Sequence, residues 1–267
     1  MILIEERPKS SVVSKYVNRY QLFIINEPAF LTTIPNGKIE CYLVKKGEFI
    51  KWDTDTESFV SSGLSGILPA TNQASFYHIP SALVCLNIKL NLNILGFSGF
   101  SELLINWENF DISHLLPETD QEKILSIISE NNTNLDVHKL DTVIEFSLSK
   151  YSFDEKIDSL INLIEGGKAV NSKVTELASN MNMSEKSMER WIQKQFNLTP
   201  KELLQVIRFQ QVSHKLKNQP NRKLIDALEF GYYDQSHFIK ECRKITGYSP
   251  KEFFSKMKLS TNDIVFE

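Results

Sequence analysis

The pattern of apolar and polar positions divides the chain into a part with strand character and a part with helical character. β-branched and aromatic residues partly alternate with polar ones in three early segments, which predicts strands at 21–26, 39–45 and 82–90. From about residue 100 the apolar spacing becomes helical, with helices expected near 124–130 and 137–150. We therefore expect a β-rich α+β domain over residues 1–150.

Beyond residue 152 almost every signal is helical. Residues able to cap a helix stand before helical runs at five places, namely Asp154, Ser184, Thr199, Asp234 and Ser249. Shorter helices are expected near 173–180 and 222–230, and the helix after Thr199 should run to about Asn218. The predicted fold class is therefore multidomain α and β, with an all-α domain over residues 151–267 behind the β-rich one.

Residues 185–204 and 235–254 repeat one segment 50 positions apart. Thr199-Pro200-Lys201-Glu202 recurs as Ser249-Pro250-Lys251-Glu252, and both have the pattern of a capping box with proline at the first helical position. Upstream, the pair Arg190 and Lys194 recurs as Lys240 and Lys244, four residues apart on one helix face. Because a repeated basic helix suits a repetitive, negatively charged partner, we expect the partner to be double-stranded DNA.

Each copy is preceded by a short helix and a turn. The turn residue is Asn182 in the first copy and Gly231 in the second, the two residue types that best tolerate a positive φ. An alanine four residues earlier, Ala178 or Ala227, permits close approach of the two helices. This is the pattern of two helix-turn-helix units, joined by the long helix that follows Thr199.

Residues 231–250, GYYDQSHFIKECRKITGYSP, resemble the second recognition segment of the AraC/XylS family of bacterial transcription regulators. Residues 174–250 resemble that family's double helix-turn-helix domain, and residues 1–150 resemble, more loosely, a β-rich domain of unknown function found on some such regulators. The resemblance implies a regulator in which one monomer reads two groove segments. Asn182 and Asp226 depart from the family pattern, which usually has glycine and an aliphatic residue there.

The exposed residues early in the second helix of each unit are the candidate base readers. In the first unit they are Lys186, Glu189, Arg190 and Gln193, and in the second they are Gln235, Ser236, His237 and Lys240. Arg190 suits guanine, Glu189 suits the amino group of cytosine, and Gln193 suits adenine. Lys194 and Lys244 lie one turn later, where phosphate contact is expected.

Charge is distributed unevenly. The formal net charge of −3 alone argues against DNA binding, but residues 1–150 hold 12 Lys and Arg against 18 Asp and Glu, whereas residues 151–267 hold 18 against 15. The second part is therefore net basic by three charges and the first net acidic by six. This asymmetry favours a nucleic-acid partner for the second part.

The remaining residue types bound the chemistry. Cys41, Cys85 and Cys242 lie far apart without a CxxC spacing, and His78 and His114 have no partner at ligand spacing, so we expect no disulfide framework, metal or cofactor. The chain shows neither a signal-peptide pattern nor a run of 18 apolar residues, which predicts a cytoplasmic protein that does not associate with membranes.

These observations predict a sequence-specific DNA-binding transcription regulator that is not an enzyme and is modulated through its first domain. That domain is expected to sense an effector, to mediate dimerisation, or both. Candidate partners besides DNA are a small-molecule effector, RNA polymerase and a second copy of the chain. Two alternatives stay open: a DNA-binding enzyme of the alkyl-DNA repair type, which would need a reactive cysteine, and a regulator controlled only by a protein partner.

Overall fold

The computed structural model describes residues 1–53, 57–61, 63–68, 70–98, 100, 112–128, 134–165, 174–218, 224–257 and 264–266. The chain forms two compact units. The first unit comprises Met1–Phe30, Lys38–Pro69 and Phe76–Glu155. The second comprises Leu31–Gly37, Ala70–Ser75 and Lys156–Glu267, so it includes two segments from the β-rich part of the sequence. The predicted boundary at residue 150 stays a prediction.

The first part of the chain is rich in strands. Its elements are β1 (Ile2–Glu6), a short helix α1 (Val13–Tyr16), β2 (Val17–Ile25), β3 (Ala29–Thr33), β4 (Ile39–Lys46), β5 (Ile50–Asp53), β6 (Ser58–Ser61), β7 (Ser65–Leu68), β8 (Ser75–Ile79) and β9 (Leu83–Leu90). An antiparallel sheet has the strand order β1-β2-β9-β4-β7. Its three central strands are the three predicted from sequence, because strands buried on both faces are the most continuously apolar. Elsewhere, β5 pairs antiparallel with β6 and with β8.

Among the described residues, two helices and two 3₁₀ turns follow β9. They are the 3₁₀ turns Leu92–Gly96 and Ile112–His114 and the helices α2 (Glu118–Ile127) and α3 (Val137–Leu148). Asp141 ties α3 to the strands through a buried carboxylate. Its Oδ1 accepts a hydrogen bond of 2.7 Å from the Tyr20 hydroxyl, and its Oδ2 accepts bonds of 2.7 Å from the backbone N–H groups of Lys9 and Ser10. A buried carboxylate is tolerated here because several donors replace the lost water.

The second unit is mainly helical. Its elements are α4 (Glu155–Glu165), α5 (Val174–Asn180), α6 (Glu185–Phe196), α7 (Pro200–Asn218), a 3₁₀-helix (Leu224–Phe230), α8 (Gln235–Thr246), α9 (Pro250–Met257) and β10 (Ile264–Phe266). The predicted helices are confirmed, although Leu224–Phe230 winds as a 3₁₀-helix, the form that short helical segments often take. The strand β10 is an addition to the predicted all-α pattern and pairs antiparallel with residues 31–33 of β3.

A continuous hydrophobic cluster packs α7, the 3₁₀-helix, α8 and α9 against one another. It contains Phe209 and Val212 of α7, Phe238 of α8 and Phe253 of α9, all fully buried. Ile34, from the segment Leu31–Gly37, belongs to the same cluster and is only 2% exposed. The next residue, Pro35, accepts a hydrogen bond at its carbonyl oxygen from the Gln210 side chain. A segment from the β-rich part of the sequence thus completes the core of the helical unit.

Among the described residues, every helix is too short or too polar to span a lipid bilayer.

Replacing Ile34 with alanine should destabilise the helical unit by about 2–5 kcal/mol, because the truncated side chain leaves a cavity among aromatic neighbours. The measurement is denaturant unfolding of the full chain, followed by far-ultraviolet circular dichroism. The matched control is Thr33→Ala, a half-buried neighbour that lies outside the cluster. Equal midpoints for the two variants would contradict the role of Ile34 in this core.

Candidate nucleic-acid interface

Two helix-turn-helix units of the same construction lie in the second unit. In the first, α5 leads through a turn into α6, and in the second, the 3₁₀-helix Leu224–Phe230 leads through a turn into α8. The turn residues Asn182 and Gly231 have φ angles of 52° and 81°, so their predicted left-handed conformation is confirmed. Ala178 and Ala227 are buried, as close helix packing requires.

Matching caps begin and end the second helix of each unit. Ser184 caps α6 by accepting a hydrogen bond of 3.2 Å from the Ser187 amide, and Asp234 caps α8 by accepting one of 2.7 Å from the His237 amide. At the other end, Asn197 and Gly247 stop the two helices in the left-handed conformation. The caps therefore fix where α6 and α8 begin and end, and these two helices are called the recognition helices below.

Both predicted capping boxes are present. The amide of Thr199 donates to Glu202 Oε2 at 2.9 Å, and the Glu202 amide donates back to the Thr199 hydroxyl at 3.2 Å. The amide of Ser249 likewise donates to Glu252 Oε2 at 2.9 Å. The bond from the Thr199 amide lowers the pKa of Glu202, and the Ser249 hydroxyl is the main cause of a lowered pKa at Glu252. Both carboxylates are thus stabilised in the charged form that caps a helix.

One face of each recognition helix is buried against the rest of the unit. Met188, Ile192 and Phe196 form this face on α6, and Phe238, Cys242 and Ile245 form it on α8. This packing leaves the opposite faces open to solvent.

The predicted DNA-contacting residues lie on those open faces. Nine of the ten are exposed: Lys186, Glu189, Arg190, Gln193, Lys194, Gln235, Ser236, Lys240 and Lys244. His237 is half-buried. At about 100° per residue, the five positions of α6 fall within an arc of about 140°. On α8, Ser236, His237, Lys240 and Lys244 share an arc of about 100°, whereas Gln235 lies about 100° to one side. Their roles as base or phosphate contacts stay predictions.

Two further residues of the second unit, Arg243 and Tyr233, are exposed and lie next to the predicted DNA-contacting positions in sequence. Arg243 is exposed on α8, one turn after Lys240, and the 50-residue spacing aligns it with Gln193. The repeat therefore contained the signal that identifies Arg243. Tyr233, 89% exposed, precedes the cap Asp234. Two residues, Tyr232 and Tyr233, separate the turn residue from the cap in the second unit, whereas the first unit has one residue there. Tyr232 is buried in the core and Tyr233 is exposed to solvent.

A polar cluster lies beneath the start of α8. The Tyr232 hydroxyl donates to Glu241 Oε1 at 2.5 Å, and burial raises the pKa of Tyr232. His237 Nε2 lies 3.8 Å from Glu241 Oε2, while His237 Nδ1 accepts from the Tyr233 amide at 3.4 Å. The Arg208 guanidinium lies over the Tyr232 ring, 5.6 Å from its centroid. A half-buried imidazole thus bridges the open face of α8 and a buried carboxylate.

Within the described residues, no group of three or more His, Cys, Asp or Glu side chains is arranged to hold a metal ion.

Comparisons with known proteins agree with this geometry. Residues 177–256 match a family model described as a helix-turn-helix domain. No curated protein sequence matches the chain. Among solved structures, the chain is similar to ToxT from Vibrio cholerae with a bound unsaturated fatty acid, at a TM-score of 0.51 and 12% sequence identity, covering 88% of this chain and 94% of that one.

A second ToxT structure from Vibrio cholerae gives a TM-score of 0.51 at 10% identity, covering 88% of this chain and 98% of that one. At sequence identities this low, the structural similarity establishes a shared fold and nothing more. That fold is a β-rich amino-terminal region followed by a helical carboxyl-terminal domain. Over residues 177–256 the chain therefore carries a helix-turn-helix domain.

Proposed function

We propose that this chain is a sequence-specific transcription regulator that binds double-stranded DNA through both helix-turn-helix units and is modulated through its amino-terminal region. The observation that carries the proposal is the duplication itself. Two recognition helices of 12 residues each begin at a side-chain cap, end in a left-handed residue and are followed by a capping box. Such agreement in construction favours two equivalent contacts with a repetitive partner.

The length of the connecting helix suits one face of duplex DNA. Helix α7 has 19 residues, which corresponds to about 28 Å at 1.5 Å per residue. Successive major grooves on one face of B-DNA lie about 34 Å apart. Since these lengths are comparable, one monomer can place α6 and α8 in neighbouring groove segments.

Exposed charge supports the same partner. The candidate faces carry five basic side chains in the predicted set, Lys186, Arg190, Lys194, Lys240 and Lys244, and Arg243 adds a sixth. Cations placed against phosphates release condensed counterions, and this supplies affinity that depends on salt. Arg190 offers the paired donors that match the O6 and N7 acceptors of guanine, so it carries sequence discrimination in this proposal.

Modulation through the amino-terminal region is supported by the path of the chain. The segment Leu31–Gly37 is flanked in sequence on both sides by residues of the first unit, yet it supplies Ile34 to the core of the second. The Asn72 side chain, from Ala70–Ser75, donates to Glu202 Oε1 at 2.8 Å, at the capping box that begins α7. A ligand or partner that favours one conformation of these segments would therefore change the helix that joins the two DNA-reading units.

A buried polar group in the main sheet is the proposed contact for a small-molecule effector. The Asn87 amide donates to Gln21 Oε1 and to Glu40 Oε2 at 3.0 Å each, and Lys89 Nζ lies 3.5 Å from Glu40 Oε1. All four side chains are buried, and Asn87 Oδ1 has no hydrogen-bond partner among the described residues. An unsatisfied acceptor of this kind favours a ligand with an N–H or O–H donor. RNA polymerase and a second copy of the chain are the proposed protein partners.

The enzymatic alternative of the alkyl-DNA repair type receives no support from the cysteines. Cys41 and Cys85 are buried in the main sheet, and burial raises the pKa of Cys85 to about 12. Burial likewise raises the pKa of Cys242 to about 12. Nucleophilic thiols are thiolates in partly exposed, electropositive surroundings, and these three are the opposite.

The first prediction from the proposed function concerns the DNA site. In-vitro selection with the full chain should recover two short elements with centres about 10 base pairs apart, because each helix reads one groove segment. Lys240→Ala should relax selection at one element only. A single contiguous element of under about six base pairs, unchanged by Lys240→Ala, would refute binding by both units.

A second prediction separates base reading from phosphate holding. Arg190→Ala should cost about 1–3 kcal/mol on the selected site and relax preference at one base position. Lys244→Ala should weaken matched and scrambled DNA alike and lower the salt slope by about one unit. The matched control is Lys139→Ala, an exposed lysine of the first unit that pairs with Asp136 and should change neither quantity. Equal loss on matched and scrambled DNA for Arg190→Ala would remove its role as a base reader.

A third prediction concerns the effector. A thermal-shift screen of the full chain against unsaturated fatty acids and polar metabolites should reveal a compound that stabilises the chain, because a ligand of the folded state raises its unfolding temperature. The same compound should change affinity for the selected DNA, and Asn87→Leu should abolish both effects. A stabilising compound that leaves DNA affinity unchanged would favour control by a protein partner alone.

A further inference from the structure

Glu241 is an unusual residue for a recognition helix. It is 5% exposed, lies on α8 and has one carboxylate oxygen, Oε2, without a hydrogen-bond partner among the described residues. A buried carboxylate is costly unless hydrogen bonds or an opposite charge compensate it. A negative charge is also unfavourable near DNA. Apolar packing alone therefore does not explain why a carboxylate lies at this buried position.

Among the described residues, His237 has the basic side chain recorded within ion-pair distance of the open oxygen of Glu241. The Tyr232 phenol, in the turn before α8, is bonded to the other oxygen, Oε1. Arg208, on α7, lies over the Tyr232 ring. The buried Cys242 thiol is adjacent in sequence and has a pKa of about 12, raised by burial, so it is neutral. His237 Nε2 lies 3.8 Å from Oε2, close enough for an ion pair after a small rotation.

The imidazole of His237 connects this oxygen to the DNA-facing surface. Its side chain is 41% exposed and shares the open face of α8 with Ser236 and Lys240. The Asp234 carboxylate is engaged as the helix cap, and Nδ1 accepts from the Tyr233 amide, so the neutral ring carries its proton on Nε2.

Resting on the proposed DNA-binding function, we propose that His237 binds DNA as an imidazolium ion held between a DNA phosphate and the Glu241 carboxylate, which is its positioning residue. A proton taken from solvent adds to Nδ1. That nitrogen then donates to the phosphate, the Tyr233 amide turns to water, and Nε2–H donates to Glu241 Oε2. The open oxygen of Glu241 thereby gains a charged partner in the complex.

The proposal predicts proton uptake on binding. Two anions, the phosphate and Glu241, flank the charged ring in the proposed complex, whereas the ring of the free protein faces only Glu241. Since imidazole ordinarily titrates between pH 5 and 8, the binding constant should fall as pH rises through that range, by at most a factor of ten per pH unit for one proton. Affinity is therefore greatest at the acidic end.

The test uses the full chain, the selected duplex and fluorescence anisotropy at pH 6 and pH 8 with ionic strength held constant, since phosphate contacts respond to salt. The wild-type chain should bind about tenfold more tightly at pH 6. His237→Gln and Glu241→Gln should both bind with nearly equal affinity at the two pH values. The side-chain carbonyl oxygen of Glu241→Gln can still accept the hydrogen bond from Tyr232, so this buried contact is preserved. His214→Gln, on α7, is the matched control and should keep the wild-type ratio.

Calorimetry in two buffers of different ionisation enthalpy should detect proton uptake by the wild-type chain that disappears in His237→Gln. Tight binding by the wild-type chain without pH dependence, or a dependence that survives in His237→Gln, would overturn the proposal and leave the DNA-binding function standing. A full pH dependence in Glu241→Gln would overturn the role of Glu241. If no DNA sequence is selected at either pH, the proposed function itself fails. If Glu241→Gln does not fold, the comparison of the pH dependence of DNA binding between His237→Gln and His214→Gln still tests the proposal.

Discussion

The packing of three phenylalanines determines how α8, the second helix of the second helix-turn-helix unit, is held. Phe209 of α7 lies with its ring centroid 6.3 Å from that of Phe238 on α8 and 5.5 Å from that of Phe253 on α9. All three side chains are fully buried. Because interiors of this density do not deform continuously, these contacts keep α8 at one orientation against α7. The open face of α8, and therefore any contact made by Lys240 or Lys244, depends on this packing.

Local chemistry explains why so much of the helical unit is readable from sequence. The caps Ser184, Asp234, Thr199 and Ser249 each satisfy backbone groups within three residues, so their effect does not depend on distant parts of the chain. The turn residues Asn182 and Gly231 act equally locally, through φ. Likewise, β2, β4 and β9 are recognisable because burial on both faces makes them continuously apolar.

What the sequence did not reveal depends on contacts between distant residues. Nothing local distinguishes Ile34, directly after β3, from the isoleucines of the strands, yet it fills the core of a unit whose main part begins more than a hundred residues later. The short strands β5, β6 and β8 are partly exposed and give a weak pattern. Glu241 has the sequence neighbours of a surface residue, and only packing places it beneath His237. The candidate DNA contacts are predictable from sequence, because the 50-residue repeat places them at equivalent positions of α6 and α8.

The central claim is that both helix-turn-helix units engage one duplex at once. Hydroxyl-radical footprinting of the full chain on its selected site tests this most directly. If both units bind, the backbone should be protected in two windows about one helical turn apart, on the same face of the duplex. Lys240→Ala should weaken one window and leave the other. A single protected window, or two that weaken together in Lys240→Ala, would contradict the account.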